Sequence, residues 1–355
     1  MRNAKRKYSP MTATSLHPPT HESARRLPRD LALVTVAIDA VMVLVNLAVQ
    51  LAPDTPEGAQ MRGTYALPGV WIPMVCSIGM AWVLAAALAW SHGRNALEKR
   101  GVDSVSRLAR PRLRYAAAYL VVLLLNFYAL SPLLYEVQLL FMPGGRLHEA
   151  VEPASIRTVM AVFVFLQSIA QLIVLVLGVW AAAWVALRAG RAAQLEPAAE
   201  APGSVEDLDG ASPRRAVALV GAAMFASLQM WSGVAMSRWS SMGRGVDGPE
   251  LLFAWMVPPL VVFALAFWGG WLGAAPGLAR ARPFRAVAAS VLAFVLVQVS
   301  CIVIAIAWLY IASSTSGLNG LGGLIGFVLA FALVYAIHVV MLMRAATRWL
   351  YRRYL

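Results

Sequence analysis

Long apolar runs alternate with short polar connectors along this chain, and eight such runs can be marked off: 31–51, 67–90, 115–141, 158–187, 216–236, 251–274, 286–311 and 321–343. Each exceeds the roughly 20 residues that a helix rising 1.5 Å per residue needs to cross a hydrocarbon layer of about 30 Å. In lipid, a backbone that satisfies its own hydrogen bonds within the segment must be helical. The pattern therefore predicts an all-α polytopic integral membrane protein, an eight-transmembrane-helix bundle. Pro132 is expected to kink the third helix, and Pro258-Pro259 to break hydrogen bonding inside the sixth. The connector 93–114, SHGRNALEKRGVDSVSRLARPRLR with the two residues before it, reads as a basic loop holding a short surface helix.

The connector 188–215 divides the runs into two sets of four. It carries Glu196, Glu200, Glu206, Asp207 and Asp209 among Ala, Pro, Gly and Ser, with arginines at both ends, and nothing in it can build a core. The expected organisation is a basic tail (1–30), a first four-helix half (31–187), an acidic linker (188–215), a second half (216–343) and a basic tail (344–355). The first half begins with a run too long for a signal-peptide apolar region, and no small-residue cleavage site follows it.

Composition agrees with this picture. Of 355 residues, 60% are hydrophobic and 13% charged, about half the charged share of an ordinary soluble domain. The net charge of +13 would suggest nucleic acid in a soluble protein, but the basic residues sit in short clusters beside apolar runs. Of the 30 Lys and Arg, 25 fall in the two tails and the connectors 93–114, 188–215 and 276–285, and the other five fall in the alternate connectors. That asymmetry predicts both termini on the cytoplasmic side, with basic loops meeting anionic lipid and no nucleic-acid partner. Trp90, Trp180, Trp184, Trp268, Trp271 and Trp349 cluster at the ends assigned to the cytoplasm, and Trp71, Trp239 and Trp308 nearer the other side, as an interfacial belt requires. A chain rich in Ala and Arg suits a bacterial inner membrane. Cys76 and Cys301 fall inside apolar runs and read as small buried hydrophobes.

The odd-numbered runs share a feature. Each carries one amide in a similar apolar setting: VLVN ending at Asn46, LLLN at Asn126, ASLQ at Gln229 and VLVQ at Gln298. Four hairpins of one orientation, joined as two pairs by the linker, would make a 4+4 parallel repeat. Gln167 and Gln171, one helical turn apart in the fourth run, complete the amide set. The spacings Gly269-x-x-x-Gly273 and Gly322-x-x-x-Gly326 permit close helix approach.

Ionisable residues inside runs are few and costly in lipid, which marks them as candidates. Asp39 lies about 14 Å into the first run and His338 about 9 Å from the same face in the eighth. If the first and last helices meet, they form a pair able to relay a proton or hold a cation. Asn46, Asn126, Gln229 and Gln298 would extend such a polar pathway. Glu136, beyond Pro132, reads as a carboxylate at the outer end, facing Arg157. No HExxH, P-loop, paired-Asp or Cys/His metal spacing occurs. Ser316 and His338 lie at different depths, which excludes an intramembrane serine dyad, and a bis-histidine haem lacks its second ligand. No enzyme, metal or cofactor is expected. Two functional classes are predicted: a membrane protein that moves or binds a small molecule or ion, and a non-catalytic accessory, assembly or sensory subunit with a protein partner or a second copy of itself. An intramembrane enzyme comes third.

Overall fold

The computed structural model describes residues 24–106, 108–151, 155–188, 213–240, 249–315 and 321–352. Most of the N-terminal tail, the linker between Arg188 and Pro213, and Ser316 lie outside the described residues. Among those described there is no strand, and eight helices are long and apolar enough to cross a membrane. They are α1 (Leu27–Leu51), α2 (Pro68–Ser106), α3 (Pro111–Leu140), α4 (Ile156–Leu187), α5 (Pro213–Ser240), α6 (Pro249–Gly273), α7 (Pro283–Thr315) and α8 (Leu321–Tyr351). The chain is thus a multi-pass, all-helical protein built for a lipid bilayer.

Local chemistry sets the helix ends. Pro28 sits in the first turn of α1, where its missing N–H costs nothing. Ser155 caps α4, its hydroxyl accepting from the Thr158 N–H at 3.3 Å. At Pro132 the structure shows how α3 accommodates the proline. It has no N–H for the Tyr128 carbonyl, and the chain widens over Asn126–Leu130 into a π-turn in which the Ser131 N–H reaches back to the Asn126 carbonyl. α6 runs on through Pro258 and Pro259 as one helix.

One expectation is corrected at 93–106. Instead of a loop from residue 93, this stretch continues α2 to a break at Gly101, whose φ of 76° is in the left-handed region, and a short second helical segment, as expected in this connector, follows to Ser106. The charges that read as a loop satisfy one another. Arg94 Nε donates to Glu98 Oε1 at 2.8 Å, with side chains 7% and 1% exposed, and the second Glu98 oxygen accepts from the Ala281 N–H between α6 and α7 at 3.0 Å.

Packing within the two sets of four follows one scheme. In the first, α1 lies on α2, α3 on α4, α1 on α3 and α2 on α4; in the second, α5 lies on α6, α7 on α8, α5 on α7 and α6 on α8. The sets meet where α5 packs against α2 and α4. α5 is the most buried span, and its sequence shows why. Ala216, Ala218, Ala222, Ala223, Ala226 and Ser227 are all buried, so neighbours approach its backbone from every side.

Odd-helix starts and even-helix ends share one face, which carries most of the arginines. Arg112 at the start of α3 pairs with Asp30 at the start of α1. Arg100 donates to the Leu187 carbonyl at the end of α4. Arg214 donates to the Trp271 carbonyl at 2.6 Å, and Arg285 to the Leu350 carbonyl at 2.8 Å. Three even helices thus end on a guanidinium, which answers both their unpaired carbonyls and the negative end of the helix dipole. On the opposite face Arg62 does the same for α1, donating to the Leu51 and Pro53 carbonyls.

Candidate functional site: two polar clusters in the bundle

Asp39 and His338 do not come together. α1 belongs to the first set of helices and α8 to the second, and each residue has its own partner. His338 Nδ1 sits 2.8 Å from the Val334 carbonyl one turn back on its own helix. Asp39, 8% exposed, faces α3, where the Tyr119 hydroxyl lies 3.0 and 3.1 Å from its two carboxylate oxygens. One turn nearer the basic face, the Thr35 hydroxyl donates to the Leu31 carbonyl at 2.8 Å. Its oxygen is then free to accept from the Tyr115 hydroxyl at 2.7 Å. Tyr115 and Tyr119 stack with ring centroids 5.9 Å apart.

This interface has a fixed register. Thr35 pairs with Tyr115 and Asp39 with Tyr119, each 80 residues apart. The same offset sets Asn126 level with Asn46, so two parallel helices carry polar residues at matching spacings of four and seven. The line continues past Asn46, whose Oδ1 accepts from Gln50 Nε2 at 3.3 Å, while Gln50 Oε1 accepts from Tyr65 at 3.2 Å. Asn126 Oδ1 is buried with no hydrogen-bond partner among the described residues, and it stands where the π-turn begins.

The second cluster lies between α5, α7 and α8. Gln298 Nε2 donates to Gln229 Oε1 at 2.9 Å, and the Tyr335 hydroxyl donates to the same oxygen at 2.6 Å. Here too a constant offset holds: Gln229 with Gln298, and the Gly221 carbonyl with the Ser290 hydroxyl at 2.8 Å, are each 69 residues apart. Of the four amides picked out in the sequence, Gln229 and Gln298 pair directly between the two odd helices of their set, whereas Asn46 and Asn126 share the 80-residue offset of the α1–α3 seam with no hydrogen bond between them.

Glu136 is exposed near the far end of α3, and no ion pair joins it to Arg157 among the described residues. Contact between α3 and α4 there runs instead through Gln138 Nε2 and Met160 Sδ, 3.3 Å apart. Gly269 and Gly273 do mark a close approach, of α6 to α8; a Cβ at Gly269 would lie 2.7 Å from the Val340 carbonyl oxygen. No group of three or more His, Cys, Asp or Glu able to hold a metal occurs among the described residues.

Sequence reasoning missed Tyr115, Tyr119 and Tyr335, which donate to three of the clusters' acceptors. A signal for two of them was present. Thr35, Asp39 and Asn46 have the same 4 and 7 spacing as Tyr115, Tyr119 and Asn126. The chain matches no family model, no curated protein and no solved structure.

Proposed function

We propose that this protein is a non-enzymatic accessory, assembly or sensory subunit of a membrane, a bundle of two repeated four-helix halves. The observation carrying this reading is that Asp39 bonds to Tyr119 inside the first set of helices and Gln229 to Gln298 and Tyr335 inside the second, while His338 bonds back to its own helix. A polar pathway shared by the whole bundle would need Asp39 and His338 to converge, whereas groups that pair off hold helices together. The matching packing schemes and the constant offset between the odd helices within each set support the 4+4 repeat. The arginine-rich face, where the start of α1 and the end of α8 both lie, supports cytoplasmic termini in a bacterial inner membrane.

A second reading, movement of a proton or small cation, is favoured by the α1–α3 seam alone. Its residues run from Thr35 past Asp39 and Asn46 to Gln50, and Asp39 is a buried carboxylate. The two readings separate in proteoliposomes loaded with a pH-sensitive dye. The accessory reading predicts the same proton and cation leak for the unsubstituted protein as for protein-free vesicles. Flux above that background, abolished by Asp39→Asn in a protein that still folds, would overturn it in favour of transport.

A further inference from the structure

On the basic face, between the end of α2 and the end of α4, lies a cavity of about 160 Å³. Three of its lining residues are cations, Lys99, Arg100 and Arg188, and none is acidic. The nearest carboxylate along α2, Glu98, is taken up by Arg94 and the Ala281 N–H. Arg100 is anchored on the Leu187 carbonyl and Arg188 lies over the Trp184 ring at 4.8 Å, so two of the three charges are held in place.

Two buried polar atoms of lining residues have no partner among the described residues: His92 Nε2 and Asn95 Oδ1. The His92 ring is fixed edge-on against Phe284, which also meets Trp180. An unpartnered buried polar atom is costly, and two beside one cationic cavity call for a ligand that presents both an anion and a hydrogen-bonding group.

The exposed apolar wall supplies the rest. Trp180 and Trp184 line the cavity, and with Ile173 and Leu177 they make one exposed apolar stripe on α4, at spacings of 4, 3 and 4. From Ile173 to Trp184 this stripe is about 16 Å long, in reach of an acyl chain whose headgroup sits among the cations.

The geometry points to a binding site for the phosphodiester headgroup of an anionic glycerophospholipid. Lys99, Arg100 and Arg188 meet the phosphate, His92 and Asn95 the headgroup's polar atoms, and the α4 stripe holds a chain. Basic pockets between helices at this level of a membrane recognise such headgroups. The site is independent of the functional reading above, since either a subunit or a transporter can hold a structural lipid.

The experiment is native mass spectrometry of the full chain released from nanodiscs containing equal phosphatidylglycerol and phosphatidylcholine. Retention of phosphatidylglycerol over phosphatidylcholine is expected. Lys99 and Arg188 are exposed, so Lys99→Gln with Arg188→Gln should fold, and loss of two cations lowers retention roughly thirtyfold. Arg146→Gln, on the opposite face, leaves retention unchanged. A second readout needs no variant: raising salt releases phosphatidylglycerol from the unsubstituted protein. Equal retention of the two lipids, or salt-insensitive retention of phosphatidylglycerol, would overturn the proposal. Thermal protection by inorganic phosphate without any protection by phosphatidylglycerol would overturn the assignment to a lipid.

Discussion

Replacing Gly269 and Gly326 separately by alanine tests the packing of α6 on α8 with an internal control. Both glycines are inside helices, so each substitution gains the same helix propensity, about 1 kcal/mol. They differ in what the new methyl meets. At Gly269 it would lie 2.7 Å from the Val340 carbonyl oxygen, 3.0 Å from Met343 Cβ and 3.2 Å from Val340 Cα, whereas at Gly326 nothing among the described residues lies within 4 Å. Two of the three atoms at Gly269 belong to the α8 backbone. Relief therefore requires the helices to part by several tenths of an ångström rather than a side chain to turn. Overpacking of this kind costs about 1–3 kcal/mol. The propensity gain cancels in the comparison, so Gly269→Ala should be less stable than Gly326→Ala by about 1–3 kcal/mol. Thermal unfolding of the two variants in one detergent, followed by tryptophan fluorescence, reads the difference. Equal midpoints would refute the α6–α8 contact.

Three further outcomes follow from the polar groups. Tyr335→Phe and Gln298→Leu, combined in a double-mutant cycle, should show a coupling of about 0.6–1.7 kcal/mol, because both donors converge on Gln229 Oε1; additivity would separate them. Tyr119→Phe should destabilise by about 1–3 kcal/mol, since Asp39 loses the donor that lies between its oxygens, and an unchanged midpoint would remove Tyr119 from the cluster. Arg94→Ala should cost about 3–5 kcal/mol by leaving Glu98 buried and unpaired, against no more than about 1 kcal/mol for Asp54→Ala at the exposed Arg62–Asp54 pair. Similar losses at the two sites would show that the first pair is not buried.

The spans were legible because hydrocarbon imposes one length and one composition on every crossing, and the alternation of arginine-rich connectors needs no tertiary information. What happens between helices was less so. The stretch from Arg94 to Arg100 looks like a loop because its charges are counted singly, whereas at spacing four Arg94 and Glu98 cancel each other and the helix continues. Tyrosines read as apolar or interfacial until a register is known, so the donors to Asp39 and Gln229 went unnoticed while the acceptors stood out. Asp39 and His338 are rare ionisable residues at similar depth, but depth is one coordinate of three, and α1 and α8 belong to different sets of packed helices. Gly269 and Gly326 occur in the same four-residue spacing, and only packing tells the crowded one from the open one.

The most direct test of the architecture is single-cysteine labelling in intact cells, in a chain with Cys76 and Cys301 replaced by serine. A membrane-impermeant maleimide should react at Gln60→Cys and Arg146→Cys, and should reach Lys99→Cys and Arg280→Cys only after the membrane is opened. Labelling of Lys99→Cys or Arg280→Cys in sealed cells, or protection of Gln60→Cys, would contradict eight crossings with the arginine-rich face inside.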